Sequence, residues 1–145
     1  MEKNNITIFQ MTTNNLANIN YSDFDDFWNT ATINDELKSN NSMYIIAKMD
    51  DEIVGFAGLK IIIDEAEIMN IATKKTFRHQ GIASYMMDYL ISYCKNNNIK
   101  SINLEVNIKN SIAINFYKKY NFINVGLRKK YYNHNDDALL MTLKI

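Results

Sequence analysis

Proline is absent from this 145-residue chain, and glycine (four), cysteine (one) and tryptophan (one) are scarce. With Asn, Ile and Lys abundant, the missing proline reads as the base composition of an AT-rich genome and marks no structural device. The lone Cys94 excludes an internal disulfide and a cysteine-rich zinc site, and it suits a reducing compartment. The two histidines, His79 and His134, are too far apart to make a ligand-spaced cluster, so no metal is expected. Net charge is missing as well. Sixteen basic and sixteen acidic residues cancel, so direct binding to nucleic acid or to an anionic membrane is not expected, and only local patches could serve. The opening Met1-Glu2-Lys3-Asn4-Asn5 lacks the basic start and apolar core of a secretory signal, and no apolar run has the length of a membrane span. A cytoplasmic protein is the expectation. What the chain does have, 47% hydrophobic and 12% aromatic residues, is enough for one domain over residues 1–145 with a substantial core.

Periodicity orders that core. Ile6 to Met11 reads as a strand, and Phe24, Phe27, Trp28, Ile33 and Leu37 recur at helical spacing up to about residue 40. Met43–Met49 and Ile53–Ile63 read as a hairpin turning at Asp50-Asp51, with another turn at Asp64-Glu65. Ala66–Thr73 is a further strand. Ile82, Met86, Tyr89, Leu90 and Tyr93 then follow a helical period that ends in Asn96-Asn97-Asn98. Ser101–Asn107 alternates Ile102, Leu104 and Val106 with Asn103, Glu105 and Asn107, as a half-buried strand does. A helix from Ser111 to Tyr120 has Asn110 as its N-cap and Asn121 as its left-handed exit, and strands near Phe122–Tyr131 and Ala138–Lys144 close the chain. The sum is an α/β (α+β) sandwich.

Between the strand ending at Thr73 and the following helix lies Arg78-His79-Gln80-Gly81-Ile82-Ala83. The first N–H groups of a helix lack intrahelical partners and sit at the positive end of its dipole, so a phosphate is a natural occupant. Gly81 permits close approach to the backbone, and Arg78 adds a fixed charge. On the hexapeptide alone, an ordinary strand-to-helix loop is an equal reading.

The surroundings favour the cradle. The element order together with Arg78-x-x-Gly81-x-Ala83 resembles the GNAT superfamily of acyl-CoA-dependent N-acetyltransferases. Asn110, Ala113, Tyr117 and Phe122 resemble that family's second block, with Asn121-Phe122 standing where a Gly-Phe pair is usual. From Asp64 onward the chain resembles the RimI-type ribosomal-protein alanine N-acetyltransferases. Asp64-Glu65-Ala66, Asn103-Leu104-Glu105-Val106, and Leu127 to Tyr132 followed by Asp137-Ala138-x-x-Met141 carry this likeness, while the first sixty residues match weakly. The resemblance implies a mixed, mostly antiparallel sheet of about seven strands, splayed between its two central strands and flanked by about four helices. It implies acetyl-CoA as cosubstrate, with no metal, and a protein N-terminus, ribosomal and starting with Ala, as acceptor; a monomer or weak dimer is expected. By position, it assigns backbone groups of Ile71, Ala72 and Thr73 to the acyl and pantetheine arm, Arg78 and His79, Gln80, Gly81, Ile82, Ala83 and Ser84 to the pyrophosphate, and Asn110 to the pantetheine. Glu105 matches the general base and Tyr117 the general acid, and Tyr131 and Tyr132 fall where the acceptor's first residues are held.

That chemistry is modest in its demands. A peptide α-amine has a pKa near roughly 8, so a weak base such as Glu105 can complete its deprotonation, directly or through water. The leaving thiolate, comparable to a Cys thiol of pKa about 8.5, can take the phenolic proton of Tyr117. Each residue also has a plainer role: Glu105 as a solvated strand residue, Tyr117 as a packed aromatic, and Tyr131 and Tyr132 as an alternating strand end. Burial of Glu105 under helices on both sheet faces, with Tyr117 as its partner, favours catalysis. Cys94 follows the apolar helix face and reads as packing. Arg128-Lys129-Lys130 reads as a solvated edge, and Lys74 and Lys75 either attract phosphates or are exposed loop charges. The rival readings are a GNAT acting on a small amine, such as a polyamine or antibiotic, and an acyl-CoA-sensing module without turnover.

Overall fold

The computed structural model describes residues 5–16, 18–24, 30–132 and 136–145, without the side chains of residues 16, 21, 30–33 and 130–132. In chain order come β1 (Ile6–Gln10), α1 (Thr13–Leu16), a 3-10 turn (Tyr21–Asp23), α2 (Thr30–Lys38), β2 (Ser42–Met49), β3 (Glu52–Ile62) and β4 (Glu65–Thr73). A second 3-10 turn (Lys75–Phe77), α3 (Ile82–Asn96), β5 (Ser101–Asn107), α4 (Ser111–Lys119), β6 (Ile123–Tyr132) and β7 (Asp136–Lys144) follow. The strands form one sheet in the order β1-β2-β3-β4-β5-β7-β6. Every neighbouring pair is antiparallel except β4 with β5. Among the described residues no helix is long and apolar enough to cross a membrane.

Local signals account for most of these boundaries. Asp50 turns the β2–β3 hairpin at φ 55°, a conformation Asp tolerates better than most residues. Asn110 caps α4 by accepting from the Ala113 N–H at 3.1 Å. Asn121 leaves that helix at φ 70°. There Phe122 N–H donates to Tyr117 C=O and Asn121 N–H to Lys118 C=O, the two bonds of a Schellman cap. The next expected turn is displaced by one residue. It occupies Ile63 and Asp64, because Glu65 already belongs to β4 and accepts from Ser101 and Asn103 across the parallel pair. Phe24 lies beyond the 3-10 turn, buried rather than on a helix. Phe27 and Trp28, and the side chain of Ile33, fall outside the described residues.

Two apolar clusters sandwich the sheet. One gathers Ile82, Met86, Leu90 and Cys94 of α3 and Tyr117 of α4 against Ile45, Leu59, Ile68, Ile102, Leu104 and Met141. The other, on the opposite face, joins Met11, Ile19 and Phe24 to Tyr44, Ile46, Phe56 and Ala72, with Leu37 of α2 packed against it. Tyr44 lies opposite Gly58, and a Cβ on Gly58 would stand 2.2 Å from the tyrosine ring. The glycine is the space the ring needs.

The sheet opens at its centre. Pairing of β4 with β5 covers only Glu65 to Glu67 against Ser101 to Asn103. Just beyond, the register of β4 on β3 passes from Ile68 opposite Leu59 to Asn70 opposite Gly58. Met69 is thus an extra, bulged residue, and a bulge bends its strand and strengthens the local twist. Past it β4 stays with β3 and leaves β5, which produces the splay expected between the central strands.

Candidate active site

The register decides what lines the opening. Lys74 N–H donates to Val54 C=O at 2.8 Å, so with Gly55 opposite Thr73 and Phe56 opposite Ala72, the bonded pairs alternate through Ala72 and Asn70. Ile71 and Thr73 therefore direct their N–H and C=O groups away from β3, into the gap where β5 has ceased to pair. Ala72 does the reverse: its backbone faces Phe56 and its side chain is buried in the second cluster.

Beyond β4 the chain reaches α3 through exposed Arg78 and His79, the latter at φ 66°. Gly81, at φ 80°, is the N-cap, with no side-chain capping bond. Nothing lies within 4 Å of where its Cβ would be, so its backbone borders open space. The N–H groups of Ile82, Ala83 and Ser84 form the first helical turn and have no intrahelical acceptors. The Ile82 side chain, 1% exposed, anchors this turn in the core. Ile82, Ala83 and Ser84 thus offer helix-start donors beside the open space at Gly81, an arrangement that fits a pyrophosphate.

Helix α4 closes the arrangement from the same face. Tyr120 donates its hydroxyl to Ser84 C=O at 3.2 Å, which ties the end of α4 to the start of α3, and burial pushes the Tyr120 phenol above its ordinary value. Tyr117, one turn earlier, is 8% exposed and meets the rings of Phe116 and Phe122 edge-on. Asn110 spends its side-chain oxygen on the cap, leaving its amide N–H groups as donors.

Glu105 stands on the opposite face. Ile102, Leu104 and Val106 point into the cluster shared with α3 and α4, so alternation sends Ser101, Asn103, Glu105 and Asn107 to the other side. Among the described residues the first apolar cluster does not reach that side, nor does the second extend to β5. The expectation of helices over both faces holds at β2 and β3 and, among the described residues, fails at β5. Glu105 keeps 19% of its side-chain exposure and is held by Arg128 of β6, Nη2 to Oε1 at 2.7 Å. Base and acid candidates are therefore not direct partners; they lie on opposite faces of the sheet. Arg128 is the residue that sequence reasoning missed, because its place in a charge run gives no sign of the strand register that lays it beside Glu105. Tyr131 and Tyr132 end β6, with side chains outside the described residues.

Other expected charges serve structure. Lys74 bridges Asp23 at 3.3 Å and also binds Glu52, and the Glu52 hydrogen bond foremost raises its pKa. Lys75 reaches the Ser22 C=O at 3.5 Å. A cavity of about 460 Å³ opens beside this brace, lined by Asn18, Asn20, Phe24 and Lys48 among others. It contains none of the expected site residues, because it follows the N-terminal segment rather than the splay. Cys94 is fully buried, and burial pushes its thiol up to about 11.

Comparison with known proteins fits this geometry. The family model described as "Acetyltransferase (GNAT) family" matches residues 13–122. The chain belongs to the GNAT family. It is an acetyl-CoA-dependent N-acetyltransferase. It is 33% identical over 129 residues, 88% of the chain and 85% of the relative, to a candidate [ribosomal protein bS18]-alanine N-acetyltransferase of Bacillus subtilis (strain 168). Among solved structures, the ribosomal-protein-S18-alanine N-acetyltransferase from Escherichia coli superposes with a TM-score of 0.89 at 25% identity, covering 97% of this chain and 94% of the other. A GNAT family acetyltransferase from Elizabethkingia anophelis with acetyl-CoA bound superposes with a TM-score of 0.82 at 25% identity, over 99% of this GNAT chain and 100% of that one.

Proposed function

We propose that this acetyltransferase modifies the N-terminal α-amine of a protein, an alanine-starting ribosomal protein in the first place, with Glu105 as general base and Tyr117 as general acid. The observation that carries the reading is the splay itself: β4 and β5 part after three residue pairs, with Glu105 on the unpaired part of β5 and Tyr117 on the opposite face of the sheet. Acetyl-CoA supplies the acetyl group as a thioester. Ile71 and Thr73 hold its arm through their backbone groups, joined by Ala72 in shaping the strand and by the amide of Asn110. Gln80, Gly81, Ile82, Ala83 and Ser84, with Arg78 and His79 beside them, hold the pyrophosphate by helix-start donors and charge. Glu105 takes a proton from the acceptor amine on the polar face of β5, where a peptide can lie along β5 and β7 with its first residues toward Tyr131 and Tyr132. The Tyr117 hydroxyl gives its proton on the helical face to the departing sulfur. Similarity to the S18-alanine N-acetyltransferases of Bacillus subtilis and Escherichia coli supports alanine of ribosomal protein S18 as acceptor, which would place the reaction in the cytoplasm.

The test is incubation with acetyl-CoA, a panel of N-terminal peptides and a polyamine, read by mass spectrometry. Acetyl on the α-amine of the alanine-starting peptide is the expected product. Turnover of the polyamine alone, or acetyl on a lysine with the N-terminus free, overturns the assignment.

A further inference from the structure

We propose that Arg128 is a positioning residue for Glu105, holding one carboxylate oxygen so that the other is presented to the acceptor amine. This rests on Glu105 being the base. The two side chains come from strands that do not touch, with β7 between them. Arg128 lies opposite Ala138, which lies opposite Asn107, while Glu105 lies opposite Leu140, which lies opposite Gly126. The guanidinium thus crosses β7 diagonally by one row. The small side chain of Ala138 leaves room for it on that face, and Leu140, beside it on β7, packs over the bare backbone of Gly126, 3.3 Å from where a Cβ would stand.

The rest of the polar row on β5 is already tied down. Ser101 and Asn103 donate to Glu65, Thr142 donates to Asn103 at 2.6 Å, and Asn107 donates to Asp136, which also pairs with Lys109 at 2.7 Å. Glu105 is fixed in the same manner, but by a side chain from two strands away that keeps 54% of its exposure. A bridge so open to water contributes little to folding. Its effect lies in geometry: a glutamate loses much of its freedom about three torsions when one oxygen is anchored, and a reacting group held in place is worth far more in rate than in stability.

The test compares wild type, Arg128→Met, Arg128→Lys, Glu105→Gln and the Arg128→Met/Glu105→Gln double variant, using acetyl-CoA and a synthetic alanine-starting hexapeptide. Acetyl-CoA binding is measured by calorimetry and stability by thermal melts. Arg128→Met should lower kcat about tenfold while leaving hexapeptide KM, acetyl-CoA binding and Tm nearly unchanged, and Arg128→Lys should recover part of the loss. In the Glu105→Gln background the same change should cost nothing further, because the residue acts through the carboxylate. Three results overturn the proposal: wild-type kcat in Arg128→Met, a fall in KM at unchanged kcat (which would make Arg128 a competitor of the amine), or an undiminished loss in the double variant. Failure of the underlying reading looks different, since Glu105→Gln itself would then keep wild-type kcat. If Arg128→Met does not fold, Arg128→Gln takes its place under the same criteria.

Discussion

The two halves of the sheet are built differently. In β2 and β3, Met43 to Ala47 and Ile53 to Leu59 are buried without a break, because the N-terminal segment covers one face and α3 the other. In β5, buried and partly exposed residues alternate, and the polar row faces away from α3 and α4. The first half is an apolar support whose residues have no chemistry to offer. The second trades burial for an accessible polar face, and the catalytic candidate lies there. A strand covered on both faces cannot present a carboxylate to a substrate without burying it, whereas the open half can.

Substitutions can break this contrast, beginning in the covered half. Phe56 is fully buried and packs edge-on against Phe24 with ring centroids 5.1 Å apart. Phe56→Ala should cost about 3–5 kcal/mol in a urea melt, through lost burial and the cavity left behind. A cost below about 1 kcal/mol would show that the support is not rigid. In the open half the outcome should invert. Glu105→Gln should lower kcat about a hundredfold or more while the melting temperature barely moves, since the ion pair it removes is partly solvated. A large drop in Tm instead would make Glu105 structural.

At the boundary between the halves, Gly81→Ala meets no steric obstacle but must hold φ near 80°. It should cost about 1–2 kcal/mol of local conformational energy, read as weaker acetyl-CoA binding in calorimetry. Unchanged affinity would remove the helix start from the cofactor site. The smallest effect concerns Asp136, whose carboxyl is held below its ordinary value by the Asn107 hydrogen bond and then by Lys109. A lowered folded pKa adds stability that is complete above the unfolded value near roughly 4 and is lost as pH falls through the folded value. The small gap in Tm between wild type and Asp136→Asn at pH 7 should therefore close in acid; a gap that persists at low pH would assign it to shape instead of charge.

Much of the fold was legible beforehand, for identifiable reasons. Alternation in Ser101–Asn107, the helical period from Ile82, the Asn110 cap and the left-handed Asn121 are short-range effects, decided by neighbours within a turn or two. The hairpin at Asp50 is equally local. The Ile63–Asp64 turn was misplaced by one residue because Glu65 is drawn into β4 by partners on β5, and such partners have no local signature. The same limit hid Arg128, and it left Lys74 and Lys75 open between phosphate attraction and exposed loop charges, when they bind Asp23, Glu52 and the Ser22 carbonyl.

By itself, then, the sequence determined which segments are strands and helices, where the glycine turn into α3 lies, and the family to which its motifs belong, because each depends on residues close together along the chain. The tertiary structure alone decided that β4 bulges at Met69, that Glu105 and Tyr117 lie on opposite faces of the sheet, and that Arg128 grips the Glu105 carboxylate across β7. Those facts depend on strand register and on which helix covers which face, and both are settled only when distant segments compete for the same sheet.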